Sequence, residues 1–186
     1  MAKEIEVKVL NIDLQYMENR LKEMGAKLIA IEDQKNFVID SKDKYIEREL
    51  NSYLRIRENK NLITDETNIY LTLKKNVCVK GSRKNIEITT RIEDIESMLS
   101  ILKDLKYGVV AKGHKLRKSY LYENIRFDLD QWDEETYPYP YMEIEVHNEE
   151  DLEKAIELLN IDRKNISTKS IIELKEELKE PKTYTE

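Results

Sequence analysis

Hydrophobic and polar positions along the chain follow two periods. Apolar residues recur at helical spacing in four places. Over 13–24, Leu14, Met17, Leu21 and Met24 form a stripe between a capping Asp13 and a terminating Gly25. Over 93–105 the stripe is Ile95, Met98, Leu99 and Leu102, over 149–159 it is Leu152, Ala155, Ile156 and Leu159, and over 167–179 it is Ile171, Ile172, Leu174 and Leu178. Elsewhere the period is two, which predicts strands over 3–10, 27–39, 51–58, 67–76, 78–90, 108–120, 121–132 and 140–147. Turn residues place breaks at Asn59-Lys60-Asn61, at Asn76 and at Tyr122-Glu123-Asn124, and Pro138 and Pro140 flank the entry to the last strand. No strand–helix–strand alternation is present. The expected fold class is therefore α+β, an eight-stranded antiparallel sheet or β-barrel with helices on its outside. One domain over 1–180 and a frayed tail at 181–186 are expected.

Successive strand side chains point to opposite faces, and here one face of each strand is charged while the other is apolar. In the first strand Glu4, Glu6 and Lys8 oppose Ile5 and Val7. Arg55 and Arg57 lie with Tyr53 and oppose Leu54 and Ile56; Thr72 and Lys74 oppose Leu71 and Leu73; Glu87 opposes Ile86 and Ile88. Lys115 and Arg117 oppose Leu116, Asp128 and Asp130 oppose Phe127 and Leu129, and Glu143 and Glu145 oppose Ile144 and Val146. Any one of these reads as an ordinary half-buried strand with a wet face. The set says more, because its charges are sorted by sign. Acidic pairs fall in the first, seventh and last strands, basic pairs in the third and sixth. If the sheet closes with its apolar face outward, helices cover that face and the charges line a lumen. Such a lumen is costly unless something fills it. Carboxylates suit Mg²⁺ or Mn²⁺. Arginine and lysine suit phosphate oxygens, and their number suits a triphosphate. Without ligand these cations would repel one another, so replacing Arg55, Arg57 or Arg117 is expected to cost no stability.

Composition narrows the partners. The chain of 186 residues is 38% charged, well above the roughly 25% of an average globular domain. Its net charge of −6 argues against a nucleic-acid partner. No apolar run approaches the roughly 20 residues of a membrane span, and the N-terminus opens on alternating charges without a signal peptide. Cys78, the single cysteine, reads as a small strand residue; it excludes an intrachain disulfide and fits a cytoplasmic protein. One cysteine and two histidines, His114 and His147, argue against a zinc site or a Cys/His nucleophile. Four glycines leave no Gly-rich phosphate loop.

These strands, in this order, resemble the CYTH superfamily, the triphosphate tunnel metalloenzymes. The likeness covers roughly residues 3–175 and rests on E-x-E-x-K at Glu4, Glu6 and Lys8, YLRIR, YLTLK ending at Lys74, Glu87, KLRKSY with Lys115, Arg117 and Tyr120, Asp130 of DLDQW, and Glu143 and Glu145. The resemblance implies a tunnel of eight antiparallel strands around a triphosphate. It implies phosphate ligands at Lys8, Arg55, Arg57, Lys74, Lys115 and Arg117, and a tunnel-closing Lys169. Divalent metal, Mg²⁺ or Mn²⁺, would be held by Glu4, Glu6, Glu143 and Glu145 with Glu87 or Asp130, the first four being the catalytic carboxylates. Many relatives carry an arginine where this chain has Asn85; Arg83, on the same strand parity, is the expected substitute. Asp128 reads equally as a metal ligand or an ion-paired strand residue. Tyr137, Tyr139, Tyr141 and Trp132 read as packing under a covering helix.

The resemblance implies hydrolysis of inorganic triphosphate or of an organic one such as thiamine triphosphate or a nucleotide. The alternative is a class IV adenylyl cyclase, making cyclic AMP and pyrophosphate from ATP. A non-catalytic polyphosphate-binding module would need the basic residues without the acidic ones. A triphosphate-bearing small molecule is the expected partner, with a homodimer left open.

Overall fold

The computed structural model describes residues 5–79 and 82–179. The chain divides into two compact units, residues 1–31 with 116–186, and residues 32–115. Among the described residues there are nine strands and five α-helices: β1 Ile5–Val9, α1 Leu14–Glu23, β2 Lys27–Ser41, α2 Tyr45–Arg48, β3 Ser52–Asn61, β4 Thr67–Val79, β5 Ser82–Ile92, α3 Ile95–Asp104, β6 Tyr107–Tyr122, β7 Ile125–Trp132, β8 Tyr141–Val146, α4 Glu149–Leu158, β9 Ile166–Ser167 and α5 Ile171–Lys179. All the pairings that position the site are antiparallel.

In the unit of residues 32–115 the strand order is β5-β4-β3-β2. Ile56 is fully buried in β3 and packs with Ile39, Ile92 and Leu102; Leu54, Leu71, Ile95, Met98 and Leu99 close around them. Helix α3 thus lies on the strand face predicted to be apolar. It starts where Asp94 accepts from the backbone of Glu96 and Ser97, satisfying two of the N–H groups a helix start leaves open. Burying a side chain such as Ile56 contributes about 1.5–3 kcal/mol.

The other unit orders its strands β6-β7-β8-β1-β9. Its core joins Val7, Val9, Phe127, Leu129, Ile144 and Val146 to Met17 and Leu21 of α1 and to Ala155 and Leu159 at α4. Asp13 caps α1 by accepting from Tyr16 N, and Gly25, at φ +86, ends it in a left-handed turn. Residues Tyr137, Tyr141 and Leu174 form a smaller core with Trp132 and Ile171, so Tyr137 and Tyr141 pack as expected, while Tyr139 departs from the expectation and is 55% exposed. Ile172 and Leu178 of that helix are exposed.

Four expectations move. Asn59-Lys60-Asn61 stays in β3, and the break falls at 62–66, where Asn61 Oδ1 accepts from Ile63 N at 2.8 Å. Asn76 continues β4 and pairs with Asn85, so the β4–β5 connection lies beyond Val79. Helix α2 was not predicted. It has only four residues and is held by Asp40, whose carboxylate accepts from Ile46 N and Glu47 N. The two-residue β9, paired with Lys8 and Val9, is too short to carry a period.

Candidate active site

The register of the first unit builds a charged surface row by row. Across β1 and β8, Glu6 stands opposite Glu145 and Lys8 opposite Glu143. Across β7 and β8, Arg126 stands opposite Glu145, Asp128 opposite Glu143 and Asp130 opposite Tyr141. Arg117 of β6 enters this group. Its Nε and Nη2 donate to the two Asp130 oxygens at 2.6 Å each, its Nη1 meets Asp128 at 2.7 Å, and Nη2 also meets Glu143. The guanidinium is buried, which alone would make its charge costly. Asp130, Glu143 and Asp128 outweigh that and hold it firmly protonated. Lys8 sits between Glu6 at 3.0 Å and Glu143 at 3.2 Å. Burial works against its charge, and Glu143 and Glu6 raise its pKa nonetheless. Arg126 donates from Nε to Asp128 at 2.9 Å.

This corrects the idea that Arg117 is one of a set of mutually repelling cations. Three carboxylates surround it, so its removal would strand buried negative charge. Asp128, 2% exposed, is ion-paired to both Arg117 and Arg126. Arg126 was missed, although it has the strand parity of Asp128 and Asp130.

The second unit presents the opposite balance. Its register sets Arg55 opposite Thr72 and Arg57 opposite Tyr70 across β3 and β4, then Thr72 opposite Thr89, Tyr70 opposite Arg91 and Lys74 opposite Glu87 across β4 and β5. Glu87 accepts from Lys74 at 2.8 Å. Burial pushes the Glu87 carboxyl up, but Lys74, Arg55 and Arg57 together bring it below the ordinary range. Arg57 donates from Nε to Asn36 Oδ1 at 2.9 Å. Arg55 Nε is buried and has no partner among the described residues, and its guanidinium lies 5.9 Å from the Tyr53 ring centroid. Beside Glu87, Lys74 and Arg57, this charged donor still wants an acceptor.

The structure thus brings Glu6, Glu143, Glu145 and Asp130 together with Lys8 and Arg117, and brings Arg55, Arg57, Lys74 and Glu87 together. Lys115 is buried. Lys169 is half exposed, and its ammonium pairs with Glu177 on α5. Glu4 lies outside the described residues, as do the side chains of Arg83 and Asn85. Tyr120, from the KLRKSY element, donates to Glu18 of α1 at 2.8 Å and ties that helix to β6. Trp132 Nε1 donates to Tyr141 Oη at 2.8 Å. Arg91, Gln34 and Asn36 on the second charged face were also missed. Strand parity on β2 and β5 was the signal for them.

The carboxylates supply oxygen donors only, the set preferred by Mg²⁺ or Mn²⁺. Glu6 and Glu145 stand opposed in register, with Lys8 3.0 Å from Glu6 and Arg126 opposite Glu145. Among the described residues no cluster of three or more His, Cys, Asp or Glu is already arranged to hold a metal. The donors fit such an ion in kind, while Asp128, Asp130 and Glu143 face Arg117. No helix among the described residues is long and apolar enough to cross a membrane.

Comparison with known proteins bears on the family and the fold. A Methanocaldococcus jannaschii protein named "Putative adenylate cyclase MJ0240" is 33% identical over 181 residues, covering 92% of this chain and 98% of its own. The solved structure of PH1819 from Pyrococcus horikoshii superposes with a TM-score of 0.75 at 22% identity, covering 94% of this chain and 99% of that one. A Hippeastrum protein, described as an adenylyl cyclase candidate with a dominant triphosphatase activity, gives a TM-score of 0.70 at 17% identity over 98% of both chains. The fold is thus the α+β fold of these proteins. The CYTH domain model matches residues 2–184, nearly the whole sequence. By that match and by the archaeal relative, the chain belongs to the CYTH domain family.

Proposed function

We propose that this protein hydrolyses a triphosphate with the help of a divalent metal. CYTH proteins are enzymes with triphosphatase or adenylyl cyclase activity, and their metal dependence fits the oxygen donors described above. The observation that carries the reading is the buried, unpartnered Nε of Arg55 on a face shared with Arg57, Lys74 and Arg91. A phosphate oxygen of a polyanion supplies the acceptor that Arg55 Nε lacks. In this reading Arg55, Arg57 and Lys74 take phosphate oxygens and spread the charge that develops during transfer. Glu6, Glu143 and Glu145, with Glu4, would hold the metal, which when bound neutralises phosphate charge and makes water easier to deprotonate. Water attacks the terminal phosphorus. The bond to the bridging oxygen breaks, and orthophosphate and diphosphate leave.

A second reading has one specific support, the name of the archaeal relative. In a cyclase the 3′-hydroxyl of ATP attacks the α-phosphorus and pyrophosphate leaves. Product analysis with tripolyphosphate, thiamine triphosphate and ATP, each with Mg²⁺ or Mn²⁺ and with EDTA, separates the two. Orthophosphate release that stops in EDTA supports the hydrolase. Cyclic AMP with pyrophosphate, and no orthophosphate, would replace it.

A further inference from the structure

The face that carries Arg55 and Arg57 changes character along its strands. The register sets Asn36 opposite Arg57 and Gln34 opposite Asn59 across β2 and β3, then Asn59 opposite Asn68 across β3 and β4. Moving along the face, guanidinium groups therefore give way to side-chain amides. The Arg57–Asn36 hydrogen bond joins the two regions. Tyr70, opposite Arg57, adds an aromatic ring to the same row.

The orientation of two amides is fixed by Glu32. Asn59 Nδ2 donates to Glu32 Oε1 at 2.6 Å, and Gln34 Nε2 donates to Glu32 Oε2 at 2.8 Å. With both NH₂ groups given to the carboxylate, the carbonyl ends are left over. Gln34 Oε1 and Asn59 Oδ1 are both buried, and neither has a partner among the described residues. Gln34 is 1% exposed. A buried orphaned acceptor costs about 1–3 kcal/mol, and here two occur on directly opposed residues. Phosphate oxygens cannot satisfy them, because a phosphate at neutral pH offers almost only acceptors. What fits is a nitrogen with two N–H bonds.

We infer that Gln34 and Asn59 recognise an exocyclic amine on the heteroaromatic ring of an organic triphosphate whose phosphates lie on the Arg55 and Arg57 side. The inference rests on the triphosphate reading and deepens it, since tripolyphosphate leaves both acceptors unfilled. Two sources share this chemistry, an adenine nucleotide and an aminopyrimidine such as that of thiamine triphosphate. An oxo group in place of the amine sets acceptor against acceptor, and polar sites of this kind reject the wrong partner strongly.

The test is calorimetric titration of the full chain in EDTA, where binding is read without metal-dependent turnover, using ATP, ITP, thiamine triphosphate and tripolyphosphate. ATP should bind at least about tenfold more tightly than ITP, the factor expected when a buried acceptor is left unpaired. Whichever of ATP and thiamine triphosphate binds more tightly identifies the ring. Gln34→Met, which removes one of the two orphaned acceptors at similar volume, should lower the ATP-to-ITP ratio severalfold. Asn59→Leu is the second variant if the first does not fold. Equal affinities for ATP and ITP in the wild type, with tripolyphosphate binding, would overturn this inference alone and leave water as the occupant. An unchanged ratio in the folded variants would also overturn it. Failure of tripolyphosphate and both nucleotides to bind would remove the triphosphate reading and this inference together.

Discussion

The two units carry charged faces built by the same rule and resolved in opposite ways. Around Arg117 the charges are closed: Asp128, Asp130 and Glu143 surround one guanidinium, and Lys8 lies between two carboxylates. Around Arg55 they are open, with a buried donor unpartnered. Strand parity makes these arginines look equivalent. Their surroundings give them different work, since one is ringed by carboxylates within its own unit and the other keeps a buried Nε without an acceptor among the described residues. A sorted charge pattern in a sequence therefore marks a site without saying which of its members are already spent on the fold.

The largest effect that breaks the comparison is expected at Arg117. Arg117→Met should lower unfolding free energy by about 3–5 kcal/mol in denaturant titration, because three buried carboxylates lose their counter-ion. Arg55→Met should leave stability unchanged or slightly raised, yet weaken triphosphate binding by about 1.5–3 kcal/mol in calorimetry. A stable Arg117 variant, or an Arg55 variant that unfolds as readily as the Arg117 one, would reverse the assignment.

Much of this was legible beforehand. Alternation put Leu54, Ile56, Leu71, Val7, Ile144 and Val146 on a face that helices cover, so the charged faces followed; the structure sets the first three against α3 and the others with α1 and α4. What parity could not give was pairing. Register decides that Arg117 meets Asp130 and that Gln34 meets Asn59, and register depends on turns such as 62–66 that single residues place poorly. Arg126 and the β2 amides went unseen because neither belongs to a charged pair of the kind the strands advertised. Helix α2 escaped because its hold is a side chain reaching from Asp40.

Activity sharpens the contrast next. Glu6→Gln and Glu145→Gln should each lose most of kcat while keeping near wild-type melting, because each removes a proposed metal donor and leaves the carboxylates that bind Arg117. Rates near wild type in either variant would take that residue out of the metal set.

A smaller effect is expected with pH at Glu18. Burial raises its pKa, but hydrogen bonds from Lys118, Lys22 and Tyr120 outweigh this and hold it at about 2. Its folded pKa lies below its unfolded one near 4.5, so its stabilisation is present above pH 4.5 and lost as pH falls toward 2. Glu18→Gln should flatten the dependence of stability on pH in that window, read by denaturant titration at several pH values. The smallest change belongs to Lys169, whose pair with Glu177 is solvent-exposed. Lys169→Ala should shift stability by less than about 1 kcal/mol, and a larger loss would show that the pair anchors α5.

The central claim is that the open cationic face is a site for a polyanion. It is tested most directly by thermal-shift titration with tripolyphosphate and Mg²⁺, comparing the wild type with Arg55→Met. The account predicts a melting temperature that climbs with ligand concentration in the wild type, since ligand binds only the folded state, and a much smaller rise in the variant. A wild type that is folded but not stabilised at millimolar tripolyphosphate would contradict it.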